Sequence, residues 1–259
     1  MIKALHTAGK LLLDNFGSQA KISIKETDGS IVTETDIQSE KRILDILERQ
    51  PEQYNIISEE CGFIEAGSEY TWVIDPVDGT SNFAAGLPWF GVIMALMKGK
   101  IPVMGGMYLP LEEELYFAEK GKGAWKNEKP IRVNTSKQLK DTLLAYSFDH
   151  SNDPGKTASE MKLLAKIAAS VRNIRATNSL VDFCYVADGR IGAVINQTTK
   201  IWDIAGPALI IQEAGGLVCN ILKEDLTFDV SSGSVLQNYS VVASGKTVHE
   251  ELLSLIDTG

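Results

Sequence analysis

The sequence predicts an α+β fold in which helices cover the faces of a large antiparallel sheet. Strand-like and helix-like segments occur in mixed runs rather than in strict β-α-β alternation, and such runs are typical of α+β layering. Four strand-like segments at 90–97, 101–109, 114–119 and 124–125 follow one another with short turns, which indicates an antiparallel meander. The chain has 259 residues and a hydrophobic fraction of 44%, enough to bury a sizeable core.

Helical periodicity and strand-like runs also precede the meander. Residues 1–17 carry apolar side chains at helical spacing and end at Gly17, which predicts a helix with glycine at its C-terminal end. Residues 36–49 place apolar residues on one helical face, and Pro51 ends that pattern. Strands before the meander are predicted at 21–24, 55–58 and 70–74.

The second half of the chain continues this mixture. Helices are predicted at 157–171, 178–187, 203–214 and 247–256, and strands at 191–195 and 241–243. No low-complexity tract or linker interrupts the chain, so we expect a single domain over 1–259. A weak change of composition near 135–155 predicts a subdomain boundary there.

Charge and cysteine content narrow the functional classes. The formal net charge of −9 argues against direct binding of nucleic acid, which needs clustered Lys and Arg. An anionic substrate is still compatible, because bound cations reverse the local potential. The three cysteines form no CxxC pair, so we expect no disulfide framework and a cytoplasmic location. The N-terminus predicts an amphipathic helix rather than a signal peptide, and no apolar run approaches the ~20 residues of a membrane span.

The segment WVIDPVDGTSNF (72–83) carries the strongest functional signal. An apolar strand places Asp75 at its C-terminal end, and the following proline restricts this acid to extended backbone. Asp78 follows, and Gly79 and Thr80 then offer backbone N–H groups at a helix N-terminus, where an anion is stabilised. Carboxylates bind hard divalent cations, and such cations contact phosphate oxygens. The pattern therefore points to metal-assisted phosphoryl chemistry.

These residues alone also allow simpler, structural interpretations of Asp75 and Asp78. Asp75 could lie in a proline turn and Asp78 could cap a helix, because Asp-Pro and Asp-Gly pairs are common turn signals. The apolar strand before Asp75 favours the metal-binding interpretation, since it places the acid at the end of a sheet rather than on a solvated loop.

Acids in three other segments extend the pattern. Glu59 follows an apolar strand-like run, so an acid again stands at the end of a strand. Asp203 precedes an apolar helix, where it could bind a cation or act as the N-cap. Asp36 precedes the second predicted helix and could cap it or contribute to a third, weaker cation site.

Together these segments resemble the inositol monophosphatase family. Their order and spacing match over nearly the whole chain, and the pairing of D-P-x-D-G-T-x-N-F with W-D-x-A-G…E-A-G-G is specific. The matching stretches are IVTETDIQSE (31–40), ISEECG (57–62), WVIDPVDGTSNF (72–83), GGMYLPLEEELYFAEKGKGAW (105–125) and WDIAGPALIIQEAGG (202–216). The resemblance implies a layered αβαβα sandwich, two or three Mg²⁺ ions per active site and a homodimer.

The resemblance also implies a role for individual residues. The implied metal ligands are Glu59, Asp75, Asp78, Asp203 and the carbonyl oxygen of Val77. The implied phosphate-binding residues are Asp78, Gly79 and Thr80, and the implied catalytic residues are Glu59, Thr80 and Asp36. In this assignment Asp75 is shared by two metal ions, and Glu59 with Asp36 borders a possible third site.

The implied reaction is hydrolysis of a small phosphomonoester by water. Mg²⁺ makes the water more acidic, while the Thr80 hydroxyl and the Glu59 carboxylate orient the water and take its proton. The water attacks phosphorus in line, and a second Mg²⁺ stabilises the leaving alkoxide. No covalent phospho-enzyme is needed, and lithium is expected to inhibit.

The substrate is less closely defined than the metal site. The implied substrate-binding residues are Asn178, Ser179, Asn196 and Asp203. Asn196 stands seven residues before Asp203, where animal members of the family commonly carry Glu, so a charge is missing here. Asn178 and Ser179 could contact a hydroxyl or cap a helix, and we interpret Lys200 as solvated rather than as a ligand of a second phosphate. We expect inositol monophosphate or a similar small polyol or sugar phosphate.

Other functions stay open. Within the same chemistry the substrate could be fructose-1,6-bisphosphate, histidinol phosphate or a 3'-phosphonucleotide, although DGTSNF (78–83) favours the inositol branch over the nucleotide branch, which tends to carry DGTKEF. From a different class, the chain could be mainly a regulatory protein-binding subunit, as some bacterial relatives are thought to be in transcription. We expect no membrane partner. A catalytically inactive fold is disfavoured, because all the expected acids are present.

Overall fold

Two β-sheets alternate with layers of helices. The computed structural model describes residues 1–18, 22–24, 31–149 and 151–256. In these ranges the helices are α1 (Ile2–Asn15), α2 (Glu34–Leu47), α3 (Thr80–Ala84), α4 (Pro154–Ser170), α5 (Leu180–Ala187), α6 (Ile201–Glu213) and α7 (Lys246–Leu255). None of these helices is long and apolar enough to span a bilayer.

The strands belong to three sheets. They are β1 (Ile22–Ile24), β2 (Ile31–Thr33), β3 (Asn55–Ser58), β4 (Gly62–Ile64), β5 (Tyr70–Asp78), β6 (Gly91–Lys98), β7 (Ile101–Leu109), β8 (Glu114–Glu119), β9 (Gly123–Lys126), β10 (Lys129–Pro130), β11 (Leu143–Ser147), β12 (Asn173–Arg175), β13 (Ala193–Thr199), β14 (Leu217–Cys219) and β15 (Tyr239–Ser244). Strands β1 and β2 form a separate antiparallel pair. The other strands form the large and the small sheet.

The large sheet has the order β10-β9-β8-β7-β6-β5-β3-β4 in the described part of the chain. Its neighbours are antiparallel except for β3 and β5, which run parallel with Ser58 beside Ile74. Parallel strands end at the same edge of a sheet. Glu59 follows Ser58 and Asp75 follows Ile74, so the two acids lie side by side.

The small sheet has the order β12-β11-β13-β15-β14. Strand β11 runs parallel to both β12 and β13, whereas β15 is antiparallel to β13 and β14. Ser147, the last residue of β11, lies in register beside Asn196 of β13. The chain that leaves β11 therefore emerges next to the C-terminal part of β13.

Helices α1 and α2 cover the outer face of the large sheet. Their apolar stripes bury Leu5, Leu12 and Ile43 in one cluster with Ile74 and Met94 of the sheet. Amphipathic helices need such a surface, because isolated helices of this length are marginal in water. Both helices predicted in this part of the chain are confirmed, although α2 begins at Glu34 rather than at residue 36.

Helices α5 and α6 fill the layer between the two sheets. One cluster joins Ile93 of the large sheet, Leu209 of α6 and Val241 of the small sheet. Helix α6 lies close to the large sheet where Gly206 meets Gly105 of β7. Because neither residue has a side chain, the two backbones can touch.

Helices α4 and α7 cover the outer face of the small sheet. Ile167 of α4 and Leu252 of α7 share a buried cluster with Tyr146 and Ile195 of the sheet. The layers therefore follow the order helix, sheet, helix, sheet, helix. This order confirms the α+β class and the αβαβα sandwich that the family resemblance implies.

The residue patterns alone missed much of the small sheet. Strand β14 has three residues, too few to show a period, and β11 is an apolar run that does not alternate. The strand predicted at 191–195 lies at Ala193–Thr199. Strand β5 continues to Asp78 instead of ending at Asp75. Lys21, with which the first predicted strand begins, lies outside the described residues.

Two acids that were considered as N-caps lie inside their helices. The N-cap of α2 is Thr33, and Asp36 is the third helical residue, whose carboxylate accepts the Thr33 N–H at 3.0 Å. Asp203 is likewise the third residue of α6, whose N-cap is Lys200. The helix termini lie further from these acids than the sequence patterns predict, because residues 34–35 and 201–202 already have helical backbone.

The change from one sheet to the other falls between Pro130, the end of β10, and Leu143, the start of β11. The connecting segment overlaps the region near 135–155 where the sequence predicts a subdomain boundary. The single domain over 1–259 and this boundary stay predictions.

We predict that Gly105→Ala destabilises the protein by about 1–3 kcal/mol, the usual cost of overpacking a core. A methyl group at Gly105 would lie 2.6 Å from the carbonyl oxygen of Gly206, and two backbones would have to separate. Urea unfolding followed by tryptophan fluorescence measures the change. Gly233→Ala is the control, because nothing lies within 4 Å of its added methyl group. Equal stability of the two variants would contradict the close approach of α6 and β7.

Candidate active site

A cavity of about 440 Å³ opens where strands of both sheets end beside the first residues of α3, α5 and α6. The predicted site residues in its lining are Glu59, Asp75, Val77, Asp78, Gly79, Thr80, Asn178, Ser179, Asn196 and Asp203. Asp36 stands behind Thr80 and is hydrogen-bonded to it. The fold thus gathers all the predicted site residues at one location.

The end of β5 positions the first two acids. Its register against β6 shifts between Asp75 and Asp78, as expected where a proline cannot donate a ladder hydrogen bond. Oδ1 of Asp75 accepts the N–H of Val77 at 3.0 Å, and the Ser39 hydroxyl donates to the Pro76 carbonyl at 2.7 Å. Asp75 and Asp78 are 2% and 8% exposed, so both carboxylates are largely removed from water.

Asp203 reaches the same place from α6. Its Oδ2 accepts the Thr199 hydroxyl at 2.6 Å and the Lys200 N–H at 2.7 Å. These bonds fix the carboxylate at the first turn of the helix, where the helix dipole also favours negative charge. Asp78 is fixed in a similar way, because its Oδ1 accepts the N–H of Leu180 at the start of α5.

The three carboxylates crowd one another. Asp75, Asp78 and Asp203 each offer an oxygen that lies within 4.8 Å of the other two. Burial raises the pKa of Asp75 and of Asp78 well above the usual range, and the surrounding acids raise both further. Glu59 is the strongest of the charges acting on Asp75. Burial also raises the pKa of Asp203, although its hydrogen bonds oppose the shift.

Glu59 stands beside this group at the exit of β3. Its N–H donates to a carbonyl of β5 at 3.3 Å, which continues the parallel pairing toward Asp75. The loop is held from behind by Glu40 of α2, which is 6% exposed. Oε1 of Glu40 accepts the N–H groups of residues 60 and 61 at 3.2 and 3.0 Å. The position of Glu59 therefore depends on an acid of the outer helix layer.

A short hydrogen-bonded chain connects Thr80 to α2. The Thr80 hydroxyl lies 2.8 Å from Oδ1 of Asp36 and 2.9 Å from the carbonyl oxygen of Val77, and it can donate to either. The other oxygen of Asp36 accepts both the N–H and the hydroxyl of Thr33. Burial raises the pKa of Asp36, while the bonds from Thr33 and Thr80 lower it. Asp36 thus orients the Thr80 hydroxyl from behind.

Gly79 is required by the turn between β5 and α3. Its φ is +82°, and a Cβ at this position would lie 2.5 Å from the Trp89 carbonyl oxygen, so only glycine fits. The Asn82 amide donates to the carbonyls of Trp89 and Thr177 at 2.9 and 2.8 Å, which ties α3 to the segment before α5. The first N–H groups of a helix have no intrahelical acceptor, so those of α3 are available to an anion.

The predicted substrate-binding residues come from the small sheet and the segment before α5. Ser179 is the N-cap of α5 and accepts the Val181 N–H at 3.4 Å. Asn178 has φ +50°, and its side chain is hydrogen-bonded to Phe148 and Asp149. Oδ1 of Asn196 accepts the N–H of residue 198 at 2.9 Å. The amide nitrogen of Asn196 donates to no acceptor among the described residues.

Sequence reasoning missed several residues of the cavity. Among the missed lining residues are Ser147, Asp149, Thr198 and Asn238. Lys200, interpreted as solvated, also lines the cavity, and its Nζ donates to the Leu236 carbonyl and to Asn238 at 2.7 Å each. Nothing in the spacing of these residues relates them to the acidic motifs. Only the pairing of β11 with β13 would have placed Asp149 here, and β11 was not predicted.

The donor set fits divalent cations. Carboxylate oxygens are the ligands that Mg²⁺ prefers in proteins, and backbone carbonyls also serve. Among the described residues no Lys or Arg forms an ion pair with Asp75, Asp78 or Asp203. Like charges that are buried without such a partner are costly, and a bound cation would neutralise them.

A layered αβαβα fold with buried acids at strand ends, beside the first turns of helices, suits a metal-dependent phosphatase. The model of the inositol monophosphatase family matches residues 1–258. The chain belongs to this family and is a phosphatase, as the sequence resemblance implies.

Proteins similar to this chain carry several names. The Nus factor SuhB of Haemophilus influenzae is 33% identical, over 98% of this chain and 93% of its own. The fructose-1,6-bisphosphatase/inositol-1-monophosphatase of Aquifex aeolicus is 33% identical, over 95% of this chain and 90% of its own. The crystal structure of the extragenic suppressor protein suhB from Bartonella henselae has a TM-score of 0.90 at 28% identity, covering 100% of this chain and 97% of that one.

We predict that Asp78→Asn stabilises the metal-free protein at pH 7.5 by on the order of 1–3 kcal/mol, because it removes one of several buried like charges. The pKa of Asp78 is raised in the folded state above the ordinary 3.8, so the folded protein binds more protons than the unfolded chain. The contribution of such an acid to stability is complete below pH 3.8 and is lost as the pH rises through the folded-state pKa.

Urea unfolding in EDTA at several pH values tests this prediction. The advantage of the Asp78→Asn variant should shrink from pH 7.5 toward pH 4, where the wild-type carboxyl also becomes neutral. Asp14→Asn, an exposed change on α1, should alter the free energy of unfolding by less than about 0.5 kcal/mol at either pH. A variant no more stable than the wild type at pH 7.5 would show that the three acids do not repel one another.

Proposed function

We propose that this phosphatase requires Mg²⁺ and hydrolyses inositol monophosphate or a similar small polyol or sugar phosphate. The observation that carries the proposal is the group of three acids, Asp75, Asp78 and Asp203, whose oxygens lie within 4.8 Å of one another. This group lies beside the first turn of α3, where a phosphate can be bound. Metal ligands and anion donors are thus adjacent.

The acids are assigned to two metal sites and a weaker third one. Glu59 and Asp75 with the Val77 carbonyl form the first, Asp75, Asp78 and Asp203 form the second, and Glu59 and Asp36 border the third. The charges that act on Asp75 support its central place, because Glu59, Asp78 and Asp203 all raise its pKa. When bound, Mg²⁺ supplies positive charge to the phosphate and lowers the pKa of a water molecule.

The chain's own groups then orient the reactants. The N–H groups of Gly79 and Thr80 hold phosphate oxygens, and Asp78 keeps the end of β5 against α5 through its bond to Leu180. The Thr80 hydroxyl, which Asp36 accepts, presents its lone pairs to the attacking water. Glu59 lines the same cavity, and its carboxylate accepts the proton of this water as a general base. Orientation by fixed groups lowers the entropic cost of the attack.

The lining of the cavity supports a hydroxylated substrate. Its uncharged hydrogen-bonding side chains outside the metal ligands include Ser147, Asn196, Thr198 and Asn238, which suit the hydroxyl groups of a polyol. The main alternative substrate is fructose-1,6-bisphosphate, because the Aquifex aeolicus relative is named for both activities. Histidinol phosphate and a 3'-phosphonucleotide are the further alternatives. Phosphate release from a panel of these esters, with and without Mg²⁺, ranks them by kcat/KM. A nucleotide or histidinol ester in first place would displace the polyol proposal.

We predict that Asp75→Asn lowers Mg²⁺-dependent kcat/KM by about 100-fold or more, because the ligand shared by two metal sites loses its charge. The variant should stay folded, since Asn can accept the Val77 N–H that Asp75 accepts at 3.0 Å. Phosphate release over a series of Mg²⁺ concentrations measures the loss, and lithium is expected to inhibit the wild type in the same assay.

Asp14→Asn is the matched control for this experiment. It makes the same chemical change at an exposed position of α1, so it should retain wild-type activity. Near-normal turnover by Asp75→Asn at saturating Mg²⁺ would defeat the proposed metal assignment.

A regulatory, protein-binding role is the second candidate. The observation that favours it is the name Nus factor SuhB carried by the Haemophilus influenzae relative. A pull-down from a cell extract with wild type and Asp75→Asn as baits separates the two roles. A stoichiometric partner retained equally by both baits would support the regulatory role. Recovery of no partner by either bait would leave catalysis as the function.

We also propose that the protein is a homodimer, as the family resemblance implies, and that it is cytoplasmic. The free state of Cys61, Cys184 and Cys219 supports the location, because oxidising compartments favour disulfides. Light scattering on the purified protein tests the dimer, and a monomer mass at micromolar concentration would contradict it. Cell fractionation tests the location.

A further inference from the structure

Asp149 brings a carboxylate into the cavity from the small sheet. Ser147 ends β11 in parallel register with Asn196 of β13, and Asp149 follows two residues later. The segment after β11 therefore emerges beside the end of β13, and both Asp149 and Asn196 line the cavity. Asp149 is not one of the three acids that share a 4.8 Å cluster, so a different task is open to it.

The side chain of Asn178 holds Asp149 in place. The Asn178 amide nitrogen donates to Oδ1 of Asp149 at 3.1 Å and to the Phe148 carbonyl at 3.1 Å, while its oxygen accepts the Phe148 N–H at 3.4 Å. Asn178 itself has φ +50°, a conformation that costs free energy in residues other than glycine but that Asn tolerates. Three bonds from one side chain thus fix the turn that carries Asp149.

Within the described part of the chain, the second oxygen of Asp149 can accept a hydrogen bond from a ligand. Among the described residues only Oδ1 of Asp149 receives a hydrogen bond, and no Lys or Arg there approaches within ion-pair distance. Burial raises the pKa of Asp149, the negative charge of Asp203 raises it further, and the positive charge of Lys156 opposes the shift. Asp149 therefore lies within electrostatic reach of Asp203. A carboxylate accepts hydrogen bonds and cannot donate them, so it suits hydroxyl groups and repels a second phosphate.

We propose that Asp149 is a specificity-determining residue that accepts hydrogen bonds from the hydroxyl groups of the substrate, with Asn178 as its positioning residue. The inference rests on the proposed function and names the substrate class more closely. The site takes an uncharged polyol carrying one phosphate, and disfavours a sugar that carries a second phosphate near Asp149.

Three probes separate the contributions to substrate recognition. Inositol 1-phosphate offers hydroxyl groups, phenyl phosphate offers none, and fructose 1,6-bisphosphate adds a second anion. We expect Asp149→Ala to lower the ratio of kcat/KM for inositol 1-phosphate to kcat/KM for phenyl phosphate about tenfold or more, the scale of a lost hydrogen bond to a charged group. The ratio for fructose 1,6-bisphosphate to phenyl phosphate should rise, because a repulsive charge is removed.

Two further variants guard against a purely structural effect. Asn178→Gly keeps a residue that tolerates positive φ but removes the three bonds, and it should raise KM for inositol 1-phosphate while changing KM for phenyl phosphate much less. Asp141→Ala is the control, because Asp141 is a half-exposed acid just before the opposite end of β11. It should leave both ratios at the wild-type value.

Binding provides a readout that does not depend on turnover. Calorimetry with Ca²⁺ in place of Mg²⁺ should show inositol 1-phosphate binding about tenfold more weakly to Asp149→Ala than to the wild type. A twofold change or less in both the kinetic ratio and this affinity would overturn the role of Asp149. Wild-type protein that hydrolyses no ester with Mg²⁺ would refute the proposed function instead, and the binding comparison would still decide the role of Asp149.

Discussion

Repulsion among buried carboxylates is the constraint on which the rest of the structure depends. Asp75, Asp78 and Asp203 lie within 4.8 Å of one another in a setting that raises the pKa of each. Isolated buried charges are unfavourable by several kcal/mol, so a scaffold keeps such a group only if other contacts hold it in place. The five layers supply those contacts. A divalent cation that neutralises the repulsion would bind more tightly because it relieves this unfavourable free energy.

The acids are held by more than one layer, which is why the site needs several layers of the fold. The large sheet supplies Asp75 and Asp78 at the end of β5, and the central helix layer supplies Asp203, which α6 fixes through its first turn. The outer layer acts through Glu40 and Asp36 of α2, which hold the loop after β3 and the Thr80 hydroxyl. A shift of one layer would therefore separate the acids. The touching backbones of α6 and β7 limit that shift.

The sequence predicted the cluster of acids better than the cavity around it. Asp75, Asp78 and Asp203 each stand next to an apolar strand or helix, so local patterns were enough to mark them. Asp149 and Asn238 carry no such mark, because their place depends on pairing between strands that are distant in the chain. The same limit explains the missed strand β11, a short apolar run without alternation. For Asp36 and Asp203 the sequence left an N-cap open beside a cation site, because helix ends are the least certain part of a pattern. The layered architecture came from the family resemblance, since periodicity alone gave a single large sheet.

Anomalous X-ray diffraction from crystals grown with Mn²⁺ in place of Mg²⁺ tests the central claim most directly, because Mn²⁺ prefers the same oxygen ligands and its position can be measured. We expect anomalous density between the carboxylates of Asp75, Asp78 and Asp203, with a second peak between Asp75 and Glu59. Crystals that hold ordered Mn²⁺ elsewhere, or whose three carboxylates are separated by protein with no ion between them, would contradict it.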